Sequence, residues 1–157
     1  GKIHIHIEEL VDELTGLASE EPASPTDAFP FVLSAGEHRG STVNDVIRDP
    51  SWRKKDKDGA LRINPADADR LGVVDGQRVR VITKRGEAEA PADITESMME
   101  GQVSLPHGFG MEYPDENGEH KIHGVSVNEL TDLEDRDWLA LTPHHKHVRA
   151  RLEAVPG

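Results

Sequence analysis

The stretch Ile63-Asn-Pro-Ala-Asp-Ala-Asp-Arg-Leu-Gly-Val-Val-Asp-Gly-Gln-Arg-Val-Arg-Val81 decides the fold. Asn64 carries a short acceptor that can cap the free N–H groups at a helix start. Pro65 behind it has φ already set for the first helical position. Gly72 supplies the left-handed residue that ends such a helix. The spacing therefore predicts a short helix between Asn64 and Gly72. Asp75 and Gly76 form a turn. Residues 77–83 then alternate, with Val79 and Val81 on one face, as a half-buried strand does.

Working outward, Arg85 and Gly86 predict a hairpin turn into a strand over 87–94, with Ala88, Ala90, Ala92 and Ile94 facing the core. Pro91 assigns that strand to an edge or a bulge. Further strands are predicted over 102–105, ended by Pro106, and over 147–154, with Val148, Ala150, Leu152 and Ala154 on one side. Upstream, 61–63 reads as a short strand and Phe29 opens a buried strand over 29–34. A helix is expected over 42–48, capped by Ser41 or Thr42. Residues 49–59 read as an exposed polar loop, with Lys54 and Lys55 in solvent. Many short strands separated by glycine turns favour a closed barrel over a sandwich. The expected class is mainly β, or β-rich α+β. The Asn64–Gly72 helix followed by Leu-Gly-Val-Val-Asp-Gly and a strand resembles the double-psi unit. That implies a six-stranded double-psi β-barrel with short peripheral helices.

The first 28 residues read as a separate unit. Lys2 to Ile7 alternates strictly, as a half-buried strand, with His4 and His6 on its polar face. Residues 8–18 form an amphipathic helix with Leu10, Leu14 and Leu17 on one side. Residues 19–27, rich in Pro, Ser and charge, are a linker. The division expected is therefore 1–28 and a barrel domain over 29–157.

At 157 residues the chain is the size of one domain. It has no cysteine, which removes disulfides, thiolate metal sites and any iron–sulfur cluster from this chain. A formal charge of -12 and 4% aromatic residues make nucleic acid an unsuitable partner. Apolar runs are too short for a membrane helix, so no membrane contact is expected. The cations that could meet an anion are concentrated at His38-Arg39 and over 144–151.

Four segments in order carry a resemblance. They are Leu33-Ser-Ala-Gly-Glu-His-Arg-Gly-Ser-Thr-Val-Asn44, the stretch 63–81, Val127-Asn-Glu-Leu-Thr131 and Thr142-Pro-His-His-Lys-His147. Together they resemble the C-terminal dinucleotide-binding domain of molybdopterin oxidoreductases, the family of formate dehydrogenases, nitrate reductases and dimethyl sulfoxide reductases. The resemblance extends over 29–155. It implies a domain that holds bis-molybdopterin guanine dinucleotide, with molybdenum or tungsten, in partnership with the remaining domains of the same catalytic subunit. It also implies positions. The loop after the first strand maps onto Gly36, Glu37, His38, Arg39, Gly40, Ser41 and Thr42, a set rich in small residues and donors suited to a pyrophosphate. The glycine loop Leu105-Pro-His-Gly-Phe-Gly110 offers His107 and Gly108. Asn128 and Glu129 match the family's Asn-Glu-Leu segment, and His145 and Lys146 its closing Thr-Pro-x-x-Lys.

Among the rivals is a double-psi substrate- or protein-recognition module of the AAA ATPase N-domain kind, which shares the barrel unit but needs neither of the last two motifs. A self-processing decarboxylase barrel would need a Gly-Ser, and Arg39-Gly40-Ser41 keeps that reading open. A metal carrier could use His144, His145 and His147, but no carboxylate at suitable spacing completes a site. The residues offer no catalytic group and no metal ligand. The family's metal ligand and iron–sulfur motif belong to other domains. The chain is thus expected to be inactive alone, as part of an oxidoreductase such as a formate dehydrogenase, in the cytoplasm. Arg39 and Lys146 are expected to supply the charge-assisted bonds to the cofactor.

Overall fold

A computed structural model of the chain describes residues 1–3, 6–20, 24–39, 49–53, 55–56 and 58–156. Its centre is a closed barrel of six strands. The strands are β1 (Phe31–Glu37), β2 (Leu61–Ile63), β3 (Arg78–Thr83), β4 (Glu87–Ile94), β5 (Gln102–Pro106) and β8 (Val148–Ala154), in the order β1-β5-β2-β4-β3-β8. β8 is antiparallel to both β1 and β3 and closes the ring. β1 runs parallel to β5, and β2 parallel to β4; the remaining neighbours are antiparallel. Two parallel pairs inside an otherwise antiparallel barrel are the double-psi pattern expected from the sequence.

Period-2 alternation fills the interior. Leu33 and Ala35, Leu61 and Ile63, Val79 and Val81, Ala90 and Ala92, Val103 and Leu105, and Ala150 and Leu152 are all buried in one cluster. Alanines on β4 and β8 beside leucine and valine elsewhere alternate small and large, which suits a narrow barrel. Pro91 is tolerated in β4 although that strand lies between two others. Ala92 N donates to Gln77 O on the β3 side, so the Pro91 nitrogen faces the β2 side, where the ladder starts only at Ala92 and no N–H is needed.

Helix α2 (Pro65–Leu71) sits at one end of the barrel. The Asn64 side chain accepts from Ala66 N at 2.8 Å, and Gly72 ends the helix at φ +66°. Ala68 joins the core. Asp67 is fully buried, pairs with Arg70 and accepts the Gly101 N–H at 2.8 Å. Asn64 Nδ2 donates to Met98 O at 2.8 Å. The capping residues thus also tie the helix to the connection before β5.

Several sequence expectations are corrected. Residues 2–7 form no strand among those described: Ile3 is 90% exposed, and His4 and Ile5 lie outside the described residues. Alternation without a neighbouring strand does not make a ladder. β1 starts at Phe31 rather than Phe29 and runs on to Glu37. The helix expected over 8–18 is α1 (Glu8–Gly16) followed by a 3-10 turn over Leu17–Ser19. The helix expected over 42–48 lies outside the described residues, as do Gly40, Ser41, Thr42 and Lys54. The segment 49–59 is not simply an exposed loop: it opens with a 3-10 turn over Pro50–Trp52, and Arg53 and Gly59 are buried. A hairpin of β6 (Met111–Pro114) and β7 (His120–His123) was not anticipated. Its residues are largely polar and exposed, so no apolar period marks it.

Candidate functional site

The site is built where β1 and β5 end side by side. The register between them slips from Ala35↔Leu105 to Glu37↔Pro106, which leaves Gly36 as the extra residue. Gly36 has φ +86°, a conformation a side chain would strain. Its carbonyl, released from the ladder, accepts from Lys146 Nζ at 2.6 Å. Backbone bonds bring the other segments in: Ala35 N donates to His145 O at 2.7 Å, and His107 N to Glu37 O at 3.0 Å. Gly36, Glu37, His107, His145 and Lys146, remote in sequence, are therefore gathered at one barrel mouth.

The perimeter continues through the glycine loop. A Cβ on Gly110 would lie 2.3 Å from Ser126 N, so the backbones of 110 and 126 touch. Ser126 leads into the 3-10 turn Val127–Glu129. Asn128 and His145 line one cleft of about 610 Å³, with Arg85, Thr131, Asp132 and Glu134 among its walls. A second cleft of about 550 Å³ shares Arg85, Thr131, Asp132 and Glu134 and is lined by His144 and His147 as well. The two flank a single segment. Four loops thus form a ring of neighbours: 36–37 to 107, 110 to 126, 128 to 145, and 146 back to 36. His38 and Glu129 are exposed, and the Glu129 carbonyl packs against Gly86.

Arg39 does not take the role expected of it. Its side chain is 8% exposed. Nε donates to Glu37 Oε2 at 2.9 Å, Nη1 to Asp56 Oδ2 and to Ala60 O at 2.8 Å each, and Nη2 to Ser104 O at 3.3 Å, with Glu37 Oε2 at 2.8 Å. Every nitrogen of the guanidinium is engaged inside the protein. Arg39 staples β1 to β5 and to the segment before β2.

Glu37 is the hub of that network. Arg62 Nη1 reaches Glu37 Oε1 at 2.5 Å and Nε reaches Asp93 Oδ2 at 3.2 Å. The Ser104 hydroxyl donates to Glu37 Oε2. Burial pushes the Glu37 carboxyl up, but the Ser104 hydroxyl, the Arg39 bond and the charges of Arg39 and Arg62 outweigh it and hold it below the usual glutamate value. Glu37 is placed as an internal counter-ion. A folded value below the unfolded one stabilises the barrel above the unfolded value, and that contribution is lost as pH falls through the folded value. Glu37→Gln should therefore flatten the acid limb of a stability–pH curve below about pH 4.5. An acid limb of unchanged slope would exclude Glu37 as the group responsible.

Sequence reading missed the support beneath Gly108. Arg53 is 2% exposed, lies 4.1 Å above the Phe109 ring centroid and donates to Gly108 O at 3.1 Å. Phe109 sits between Gly59 and Gly124, where an added Cβ would come within 2.8 and 2.7 Å of the ring. Only the paired glycines hint at this, and they are far apart in the chain. Among the described residues no three His, Asp or Glu side chains cluster to hold a metal, and no helix is long and apolar enough to cross a membrane.

A closed double-psi barrel whose loops bring Lys146, His107, His145 and Asn128 together presents donors and acceptors suited to a polar ligand. The chain belongs to the molydopterin dinucleotide binding domain family, which residues 31–149 match. It is 31% identical over 120 residues to the dimethyl sulfoxide reductase DmsA of Escherichia coli, covering 76% of this chain and 14% of that protein. Over 135 residues it is 27% identical to the probable oxidoreductase YoaE of Bacillus subtilis, covering 85% of this chain and 19% of the other. Identity is 33% over 90 residues with the F420-dependent formate dehydrogenase subunit alpha of Methanocaldococcus jannaschii, 54% of this chain and 13% of that one. Acetylene hydratase from Pelobacter acetylenicus shares the fold, with a TM-score of 0.61 at 17% identity, over 94% of this chain and 20% of that one. The chain thus spans a fifth or less of the length of these relatives.

Proposed function

We propose that the loop ring holds molybdopterin guanine dinucleotide within a larger molybdenum or tungsten oxidoreductase, of which a formate dehydrogenase is the first candidate. The observation that supports this reading is the meeting of Gly36, His107, His145 and Lys146 at one mouth, beside the cleft of Asn128. The donor set suits such a group. Lys146 offers a cation to a phosphate, Asn128 both donates and accepts along a heterocycle edge, and Asp132 and Glu134 accept from ring N–H groups. The bound group supplies the metal-centred redox chemistry. The chain binds it, orients it and keeps one side of it from water. By this reading the isolated chain turns over no formate, nitrate or sulfoxide. The segments 127–131 and 142–147, for which a protein-recognition barrel has no need, lie inside the ring.

Lys146 is the test. Its ammonium already holds the Gly36 carbonyl, so binding a phosphate gains less than a fresh charge-assisted bond, which is worth about 1.5–3 kcal/mol. Lys146→Ala in the full-length subunit should therefore weaken cofactor retention by roughly 10-fold, with the circular dichroism of the barrel unchanged. Lys55→Ala, on an exposed side chain of the polar segment, should retain cofactor as the unsubstituted subunit does. Molybdenum and pterin content per protein decides. Equal loading in both variants would place the phosphate elsewhere.

A further inference from the structure

We propose that the apolar face of helix α1 is a docking surface for the other domains of the same subunit, on an apolar patch rimmed by lysine and arginine. Ile7, Leu10, Val11, Leu14 and Leu17 recur at the helical spacing that makes one stripe. In a helix folded onto its own domain that stripe would be buried. Here no residue of α1 is buried; Leu14 is 66% exposed and Leu17 52%. The helix has nine residues, and Ile7 at its start makes no side-chain cap. A helix this short is marginal in water by itself, because nucleation is unfavourable and few bonds follow it. One tie to the rest of the chain is the indole of Trp138, which donates to Glu13 Oε2 at 2.6 Å at an exposed position. Such a contact is too slight to hold a helix. The stripe therefore needs a partner surface.

Charge and length identify that partner. By helical spacing Glu8 and Glu13 flank the stripe on its two sides, with Glu9 and Asp12 on the far face, and the helix contains no basic residue. A complementary surface is apolar at its centre and cationic at its rim. A second copy of this chain, at -12, would bring like charges together. The relatives devote four-fifths or more of their length to sequence with no counterpart here. If this chain is a domain of such a subunit, as proposed above, those domains are present at the highest effective concentration. Trp138, which meets α1 at Glu13, is itself 54% exposed.

The experiment is amide hydrogen exchange on the full-length subunit, with and without Leu14→Asp. Amides of residues 11–16 should exchange at least 10-fold more slowly than an unstructured chain. Leu14→Asp should abolish that protection while β3 keeps its own, and Leu14→Met should restore it. Zero-length coupling of carboxylates to amines should join Glu8 or Glu13 to lysines elsewhere in the same polypeptide. Unprotected α1 amides, or protection indifferent to Leu14→Asp, would overturn the proposal. So would protection that grows with protein concentration or crosslinks between two subunits, which would identify a second copy. Pterin content of the same preparations tests the cofactor reading separately. A subunit without pterin but with α1 protected refutes only that reading; one with pterin and α1 unprotected refutes only the docking.

Discussion

Arg39→Met is expected to destabilise the barrel by about 3–5 kcal/mol, the range found when one partner of a buried ion pair is removed. The methionine fills much of the space but donates nothing. Glu37, Asp56 and the carbonyls of Ala60 and Ser104 each lose a donor, and two of the stranded groups are carboxylates. Arg39→Lys should recover only part of this, since an ammonium cannot span acceptors arranged for a planar fork. Urea denaturation of the full-length subunit, followed by a probe local to the barrel, measures the effect. If cofactor is lost while the midpoint moves by less than the equivalent of about 1 kcal/mol, Arg39 is a cofactor ligand after all. The contrast with Lys146→Ala is the informative part: one cation holds the barrel, the other is the one proposed to hold the ligand.

Gly110→Ala should cost about 2–5 kcal/mol. A left-handed conformation costs a side chain roughly 1–2 kcal/mol, and Gly110 has φ +81°. The added methyl would also lie 2.3 Å from Ser126 N, which is backbone and cannot swing aside; overpacking of this kind adds about 1–3 kcal/mol. Relief requires the glycine loop to part from Ser126, which opens the ring between His107 and Asn128. Gly118→Ala is the matched control. Gly118 has φ +78° but nothing within 4 Å of an added Cβ, so only the conformational part remains. Similar melting temperatures for the two alanine variants would mean that the approach of 110 to 126 is not tight in solution.

What was legible in the sequence was local. Asn64, Pro65 and Gly72 act on groups within a few residues of themselves, and helix, cap and terminator all appear where read. The alternation of 87–94 gives β4 its limits because the flanking turn residues are adjacent. The gathering of Gly36, His107, His145 and Lys146 was expected only through the family resemblance. Roles set by distant partners were not legible. Arg39 looks like a free cation beside a glycine, and apart from Glu37 its acceptors lie 17, 21 and 65 residues away. Arg53 and Asp56 sit in a stretch whose charge suggests solvent, yet one is buried against an aromatic ring and the other is a half-buried counter-ion to Arg39. The described residues of 2–7 form no strand for the converse reason, a strand pattern with no strand beside it among the described residues.

The barrel's closure also dictates an order of events during folding. Val32 on β1 pairs with Gln102 on one side and Arg149 on the other. The first barrel strand to be synthesised thus has both neighbours among the last. Parallel and long-range pairings form slowly, because loop closure precedes any reward from contact. The β3–β4 hairpin, with a three-residue connection over 84–86, can form early and alone. β1 must wait with Leu33 uncovered and both edges open, a state prone to pairing with other chains. The mouth proposed to hold the cofactor, which depends on the end of β1, is accordingly the last part of the domain to come into being.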